Sequence, residues 1–157
     1  MRPQIKLDVC KCGRGMWKMF RQYHYLNGKL GAGVRCYCAT YEGRPVGFIA
    51  VMHVHMKTNF FRVSRLVVLP DFQGVGVGKR LLNFIAELYT SQLDVPFYLM
   101  TSNPQLVRGN LEGWYVRRFG HASAGRNDST INREMRSSNA KGRLTVSLQY
   151  ISRRHRT

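Results

Sequence analysis

The feature that most constrains the fold is a glycine-rich segment between a β-branched run and a helix-forming sequence. The run is Leu-Val-Val-Leu at residues 66–69, and residues 73–78 are Gln-Gly-Val-Gly-Val-Gly. A dense run of this kind is typical of a central strand covered on both faces. Glycines before a helix let the backbone adopt positive φ and approach a ligand, and the free N–H groups of a helix N-terminus bind phosphate oxygens. The segment therefore predicts a strand, a phosphate-binding loop and a helix.

The glycine spacing excludes two common phosphate-binding motifs. A P-loop needs a Ser or Thr after its lysine to hold magnesium, whereas Lys79 is followed by Arg80. A dinucleotide-binding fingerprint needs the spacing GxGxxG and an acidic residue about 20 positions later at a strand end. Here the spacing is GxGxG, and no repeated βαβ frame follows. The loop therefore belongs to another class of phosphate site.

The rest of the chain predicts a mixed α/β domain over residues 1–157, with a largely antiparallel first half. Apolar spacing of three and four residues predicts helices, and alternation predicts strands. We expect helices at 15–26, 77–91 and 104–119, and strands at 1–12, 34–41, 46–56, 61–69, 96–101 and 144–151. Residues 120–141 are polar and irregular, and we expect 153–157 to be a frayed basic tail.

The charge balance is the strongest compositional signal. Lys and Arg number 25 and Asp and Glu number 8, which gives a formal net charge of +17. Such an excess favours a polyanionic partner, and we expect DNA. The alternatives are a solvated basic surface or a basic channel for the phosphates of a CoA-type donor. The arginines expected to contact DNA are Arg21, Arg62, Arg65, Arg117 and Arg118.

Neither a membrane segment nor a metal site is expected from the sequence. No apolar run reaches the roughly 18 residues that span a bilayer, and no signal-peptide pattern begins the chain, so we expect a cytoplasmic protein. Four cysteines occur as two pairs, at 10 and 12 and at 36 and 38. Paired strands could bring them together as metal ligands, but small buried core thiols are the favoured interpretation. Histidines 24, 53 and 55 are the other candidate ligands.

The glycine segment resembles the pyrophosphate loop of the GNAT acyltransferases, written Q/R-x-x-G-x-G/A. Gln73, Gly76 and Gly78 fill its fixed positions. The resemblance follows the element order over roughly residues 16–121 and is sharp over 64–82. It implies a mixed central sheet with a splayed strand pair and flanking helices. It also implies that acetyl-CoA or a related donor is bound by Leu66, Val67, Val68, Gln73, Gly74, Val75, Gly76, Val77, Gly78 and Lys79.

The same resemblance implies a reaction. In this family the acyl carbonyl pairs with backbone at the end of the central strand, and the acceptor amine attacks it directly in a ternary complex. Catalysis then rests on positioning and on polarisation of the carbonyl. The family often uses a tyrosine near a Gly-Phe as the acid that protonates the leaving thiolate. Tyr115, five residues before Gly120, is the candidate here, and its alternative role is that of a core or stacking aromatic.

A second resemblance concerns the acceptor. Residues 17–26 (Trp-Lys-Met-Phe-Arg-Gln-Tyr-His-Tyr-Leu) and 101–104 (Thr-Ser-Asn-Pro), followed later by Trp114, look like bacteriophage DNA-modification proteins of the Mom type. That group adds a carbamoylmethyl group to the exocyclic amine of adenine, so the donor need not be acetyl-CoA itself. The resemblance implies catalytic roles for His24, Tyr25 and Ser102, and aromatic faces for an extruded base from Trp17, Tyr23, Tyr25 and Trp114.

Two other functions remain open from the sequence. The chain could be an ordinary acetyl-CoA-dependent N-acetyltransferase acting on a small amine, a protein or tRNA. It could also be a nucleic-acid-binding module that kept the fold without the chemistry. For individual residues, core packing is the alternative for Trp17 and Phe20, and capping or core packing is the alternative for His24.

Overall fold

The computed structural model describes residues 4–24, 28–55, 57–103, 106, 111–121 and 144–156. The strands are β1 (Asp8–Cys12), β2 (Arg35–Tyr41), β3 (Arg44–His55), β4 (Asn59–Val68), β5 (Phe97–Thr101), β6 (Trp114–His121) and β7 (Leu144–Tyr150). The α-helices are α1 (Trp17–Phe20) and α2 (Val77–Gln92). Short 3₁₀ turns lie at Arg14–Met16, Arg21–Tyr23, Pro70–Phe72 and Arg153–His155.

The described strands form one sheet in the order β1-β2-β3-β4-β5-β7-β6. Every neighbouring pair is antiparallel except β4 and β5, which are parallel. The parallel pair has only two register positions, Phe61 with Phe97 and Arg62 with Tyr98. Beyond these positions the two strands separate. The predicted mixed sheet with a splayed strand pair is therefore confirmed.

Helix α2 covers one face of the sheet. Its fully buried side chains Leu81, Leu82 and Ile85 pack into a core with strand residues such as Ile49 and Phe61. Burying each aliphatic side chain of this size contributes about 1.5–3 kcal/mol. The amphipathic pattern predicted a helix over 77–91, and the structure extends it by one residue.

The other face is covered over β2, β3 and β4 by the segment around α1. Trp17 and Phe20 pack there on Phe48 and Val67, and Trp17 Nε1 donates a hydrogen bond to the Gly28 carbonyl at 3.0 Å. The prediction of one continuous helix over 15–26 is wrong, because α1 is a single helical turn with a 3₁₀ turn on either side. The two buried positions of α1 are three residues apart, so they lie on the same face of this single turn.

The helix expected over 104–119 is also wrong, because its second half is strand β6. Gly113 has φ +88°, which ends the turn that precedes the strand. Trp114 then pairs with Tyr150, and the ladder continues to His121. Pairing with β7 decides the conformation of a segment whose apolar residues also fit a helical spacing. In the first half, Leu106 is helical and the neighbouring positions lie outside the described residues.

In the structure, Arg153–His155 of the basic tail form a 3₁₀ turn, and the Arg153 backbone N–H donates to Glu87 Oε2 at 3.3 Å, where we expected a frayed tail. Ser152, 2% exposed, donates from Oγ to Glu87 Oε1 at 2.9 Å. Arg156 donates from Nε to the Ile151 carbonyl at 2.8 Å, and its guanidinium lies 5.2 Å from the centre of the Tyr150 ring. Among the described helices, none has the length and apolar character to cross a bilayer.

Candidate functional site

A cavity of about 850 Å³ fills the opening between β4 and β5. Its size lies in the range of small-molecule and cofactor sites. Four segments provide most of its lining: the end of the N-terminal helical segment, β4 from Arg62 onward, the glycine loop with the first turn of α2, and the end of β5. The lining residues are Tyr23, His24, 62–68, 72–79, 99–103, Leu106 and Thr145.

A β-bulge at Ser64 creates the opening. Ala50 of β3 pairs with Arg65, but the next residue, Val51, pairs with Val63, so Ser64 is an extra residue in β4. A bulge bends its strand and increases the local twist. The bend lies just after Arg62, the last residue of β4 that pairs with β5. The far part of β4 therefore presents backbone groups to the cavity in place of a neighbouring strand.

The glycine loop closes one end of this cavity with backbone atoms. Gly74 and Gly76 have φ +80° and +88°, a region that favours glycine. Gly76 caps α2 without a side-chain hydrogen bond, so the N–H groups of the first helical turn remain for a ligand. Gly78 lets the helix start approach β4, because a Cβ there would lie 3.2 Å from Val68 Cγ2. Gln73 Nε2 donates to the Val68 carbonyl at 2.9 Å and ties the loop to the strand.

The structure brings the predicted donor residues together. All ten of them line this one cavity: Leu66, Val67, Val68, Gln73, Gly74, Val75, Gly76, Val77, Gly78 and Lys79. Three of them lie in β4, four in the glycine loop and three in the first turn of α2. The arrangement presents helix-terminal N–H groups and a lysine to one end of the cavity, which is the chemistry that a pyrophosphate requires.

Two of the four predicted catalytic residues lie at this cavity. His24 follows the 3₁₀ turn after α1 and makes an edge contact with the Trp17 ring, with centroids 5.7 Å apart. Ser102 follows the end of β5, and both residues line the cavity. Tyr25 lies outside the described residues.

The structure does not bring Tyr115 to this cavity. It lies on strand β6 and not on a helix, and its side chain is 50% exposed. It lines a separate surface pocket with Arg117, His155 and Arg156. The candidate role of Tyr115 assumed a position on the helix expected over 104–119, and the pairing of β6 with β7 places the ring elsewhere.

Two of the aromatic residues expected to hold a base are core residues. Trp17 is 5% exposed and Trp114 is 7% exposed. Trp114 Nε1 also donates to Asn83 Oδ1 at 2.7 Å, which fixes the ring against α2. The proposed stacking role is therefore wrong for both tryptophans. Tyr23 is 44% exposed and lines the cavity, so its ring is available there.

The cavity is cationic at the end away from the glycine loop. Arg62 and Arg65 both line it, and no carboxylate is among its described lining residues. Burial lowers the pKa of the Arg62 guanidinium. Arg62 Nε donates no hydrogen bond to the described part of the chain, while Arg62 Nη2 lies 3.6 Å from Met52 Sδ, a weak acceptor. Arg21 is exposed on its 3₁₀ turn, and Arg117 and Arg118 are exposed on β6.

The cysteines do meet across β1 and β2, where Cys10 pairs with Cys38 and Cys12 with Cys36. Burial, together with the other cysteines, raises the pKa of the Cys12 thiol to about 12. Burial and Cys10 raise the pKa of Cys38 to about 11. Within the described ranges, no group of three or more His, Cys, Asp or Glu residues has a geometry that could hold a metal.

The two sheet histidines are not part of the cavity. The rings of His53 and His55 contact each other at a tilt of 54° with centroids 3.6 Å apart, and His53 stacks on Phe61 at 4.2 Å. They lie near the turn that joins β3 and β4, at the opposite end of β4 from the glycine loop. The structure therefore separates them from His24.

Sequence reasoning missed several residues of the site. The bulge at Ser64 has no signature in one sequence. Met100, Asn103 and Thr145 reach the cavity because β5 and β7 are neighbours, which is a property of the topology. Phe72 could have been predicted as a lining residue, because it lies directly before the glycine loop in the sequence.

Comparison with known proteins identifies the family. The family model described as "Acetyltransferase (GNAT) domain" matches residues 32–120, more than half of the chain. Comparison with curated protein sequences gives no match.

Solved structures share the fold. The ribosomal-protein-S18-alanine N-acetyltransferase of Escherichia coli has a TM-score of 0.66 at 13% identity, covering 94% of this chain and 95% of its own. An IAA acetyltransferase of Bacillus cereus has a TM-score of 0.61 at 15% identity, covering 92% and 99%. A Bacillus subtilis acetyltransferase in complex with CoA has a TM-score of 0.60 at 14% identity, covering 94% and 98%. The chain belongs to the GNAT acetyltransferase family.

Proposed function

We propose that this acetyltransferase-family protein modifies the exocyclic amine of a base in nucleic acid, using a CoA-type donor. The observation that carries the proposal is the cavity between β4 and β5. It has the glycine loop and the start of α2 at one end and arginines at the other, and none of its described lining residues is a carboxylate. The resemblance to Mom-type proteins indicates adenine in DNA as the acceptor and a bacteriophage setting.

The donor half of the proposal rests on the glycine loop. The N–H groups at Gly76 and the first turn of α2 would hold the pyrophosphate, and Lys79 would add charge. The pantetheine and acyl group would then run along the unpaired edge of β4 beyond the Ser64 bulge. Backbone N–H groups there would polarise the acyl carbonyl. The Bacillus subtilis acetyltransferase, whose fold this chain shares, was solved with CoA.

The acceptor half rests on charge. An alkylamine is an ammonium at neutral pH, and the arginines that line the cavity would repel that charge. The exocyclic amine of adenine is already neutral, because its lone pair is conjugated with the ring. A cationic cavity with no described carboxylate suits this neutral amine. The phosphates that carry the base would be attracted by the net charge of +17.

The chemical step assigns roles to His24 and Ser102. If the donor is an acyl thioester, the amine nitrogen forms a bond to the acyl carbon and the bond from that carbon to sulfur breaks. The nitrogen loses one proton and the CoA sulfur gains one. His24 lines the cavity and is suited to accept the first proton, since an imidazole titrates near neutral pH. Ser102 lies at the end of β5 and is suited to donate a hydrogen bond to the leaving sulfur.

Nucleoside mass spectrometry of DNA co-expressed with the protein tests the proposal. The wild-type chain should give a modified deoxyadenosine. Gly76→Asp should abolish it, because φ +88° strains any side chain there and a carboxylate would repel the pyrophosphate. Gly43→Asp is the matched control, since Gly43 has φ +75° in the turn between β2 and β3 with open space around it. Its modification level should stay at that of the wild type.

Two outcomes would contradict the proposal. Unmodified DNA, together with acetylation of a small amine or a protein N-terminus by purified enzyme and acetyl-CoA, would favour an ordinary N-acetyltransferase. Unmodified DNA, with DNA binding that Gly76→Asp leaves intact and no affinity for acetyl-CoA in calorimetry, would favour a binding module without chemistry.

A further inference from the structure

One face of β5, β7 and β6 carries aromatic, thioether and arginine side chains in register. Paired residues of neighbouring strands lie on the same face of a sheet. Tyr98 pairs with Gln149, and Gln149 pairs with Tyr115. The next row contains Met100, Ser147 and Arg118. These two rows, with Arg117, are called the open face below.

No described helix packs on the open face. The opposite face of the same strands is buried against α2, as the low exposure of Phe97, Trp114 and Tyr150 shows. On the open side, Met100 is 57% exposed and Tyr115 is 50% exposed. The segment around α1 lies on this side over β2, β3 and β4, where its buried residues Trp17 and Phe20 pack with residues such as Cys38, Phe48 and Val67. Large apolar groups exposed together in this way mark an interaction surface.

The charge of the open face is positive. Arg117 and Arg118 are exposed, and Arg117 Nε donates to Gln149 Oε1 at 2.6 Å, which holds its guanidinium beside Tyr115. None of the described residues on this face is acidic. The positive character continues into a surface pocket of about 480 Å³, lined by Tyr115, Val116, Arg117, Ile151, His155 and Arg156.

The open face is continuous with the cavity. Arg62 pairs with Tyr98 across β4 and β5, and Arg62 also lines the cavity. Met100 belongs to the open face and to the cavity lining. A ligand on this face would therefore reach the cavity from the end opposite the glycine loop. From β4 to β6 the face spans three strand spacings, roughly 14 Å.

We propose that the open face binds single-stranded nucleic acid and presents an unpaired base to the cavity. Bases would stack on Tyr115, Tyr98 and Met100. Phosphates would contact Arg117, Arg118 and the surface pocket. Exposed aromatic rings on a sheet stack only with bases that are not paired, as in RNA-recognition sheets that hold two or three bases. A duplex hides its base faces and would use only the arginines. This inference rests on the proposed function and narrows its acceptor to an unpaired strand.

Fluorescence anisotropy with a labelled oligonucleotide tests the stacking part. A mixed-sequence single strand should bind more tightly than the same sequence as a duplex, and a matching RNA strand shows whether the sugar matters. Tyr115→Ala should weaken single-strand binding by roughly ten-fold or more and leave duplex binding unchanged. Phe84→Ala is the matched control, because Phe84 is an aromatic residue 52% exposed on α2. It should bind both forms as the wild type does.

The salt dependence of the same binding tests the role of the arginines. For single strands, the slope of log affinity against log salt decreases in magnitude by about 0.7 for each phosphate that the protein no longer neutralises. Removing both arginines, Arg117→Ala with Arg118→Ala, should reduce the slope by about 1.4. Arg44→Ala is the control, since Arg44 is exposed at the start of β3 and outside the open face. Its slope should be that of the wild type.

The outcomes separate this inference from the proposed function. Equal affinity for single strand and duplex, or equal effects of Tyr115→Ala and Phe84→Ala, would overturn the open face as a binding surface. If DNA is still modified in that case, the proposed function stands. Single-strand binding that depends on Tyr115, combined with no modified nucleoside, would support the open face and contradict the proposed function.

Discussion

Replacing Arg62 with methionine should make the protein more stable and less active. Arg62 lies in β4, where burial lowers the pKa of its guanidinium. Arg62 Nε meets no acceptor in the described part of the chain, and Arg62 Nη2 has only the sulfur of Met52 at 3.6 Å. A charge in such a place opposes folding. It is retained, we infer, because an anionic ligand completes its hydrogen bonds.

The size of the effect follows from these contacts. A buried donor without an acceptor costs about 1–3 kcal/mol. Methionine keeps the apolar stem of the arginine and fills a similar space beside Met52 without a polar atom that needs a partner. Arg62→Met should therefore raise the free energy of unfolding by about 1–3 kcal/mol. In a chain of this size each kcal/mol raises Tm by roughly 2–4 °C.

Urea unfolding followed by circular dichroism measures the stability, and anisotropy with a labelled single strand measures binding. Arg44→Met is the control, because Arg44 is exposed and surface changes usually stay within about 0.5 kcal/mol. A loss of stability in Arg62→Met would refute the reasoning, since it would mean that the guanidinium has a structural partner. A gain of stability with unchanged single-strand binding would refute the assignment of Arg62 to the acceptor.

Two further predictions concern groups outside the cavity. Burial acts to raise the pKa of Glu87, but hydrogen bonds, including those from Tyr150 and Ser152, outweigh it and lower the pKa. Its contribution to stability is therefore present above the unfolded-state pKa and is lost as pH falls through the lower folded-state pKa. Glu87→Gln should remove this pH-dependent contribution to stability. Thermal melts between neutral and acidic pH measure it, and equal slopes of Tm against pH for the wild type and Glu87→Gln would contradict the idea. The pKa values of Cys12 and Cys38 are raised to about 12 and about 11, so few of these thiols are thiolates at mildly alkaline pH and both should react slowly with iodoacetamide. Rapid labelling of these two residues, seen by mass spectrometry of the native protein, would contradict the prediction.

The donor side of the cavity could be predicted from sequence because it depends on local signals. A β-branched run, a glycine loop and an amphipathic helix follow one another between residues 66 and 92. Positive φ at Gly74 and Gly76 is expected from the residue type, because glycine has no Cβ and adopts this region readily. All ten residues assigned to the donor accordingly lie around one cavity.

The acceptor side could not be predicted in the same way, because it depends on pairing between distant segments. Strand β6 pairs with β7, and that pairing overrides a helical spacing of apolar residues. Ser64 is a bulge only because of the register in which β4 pairs with β3. The docking of Arg156 on Tyr150 likewise needs the C-terminal turn to be in place. Sequence patterns report local preferences, and these features are decided by tertiary structure.

This division between the two sides bears on how the acceptor is chosen. In the proposed function the glycine loop would hold the donor with backbone atoms. Many sequences can build such a site, so the donor says little about the acceptor. The acceptor end is built from side chains on separate strands, and here these include Arg62, Arg65 and Met100. Arginines at that end repel an ammonium and attract a phosphate. An amine that is neutral and carried by a polyanion satisfies both conditions, which is why we propose a nucleobase as the acceptor in preference to a polyamine or a lysine side chain.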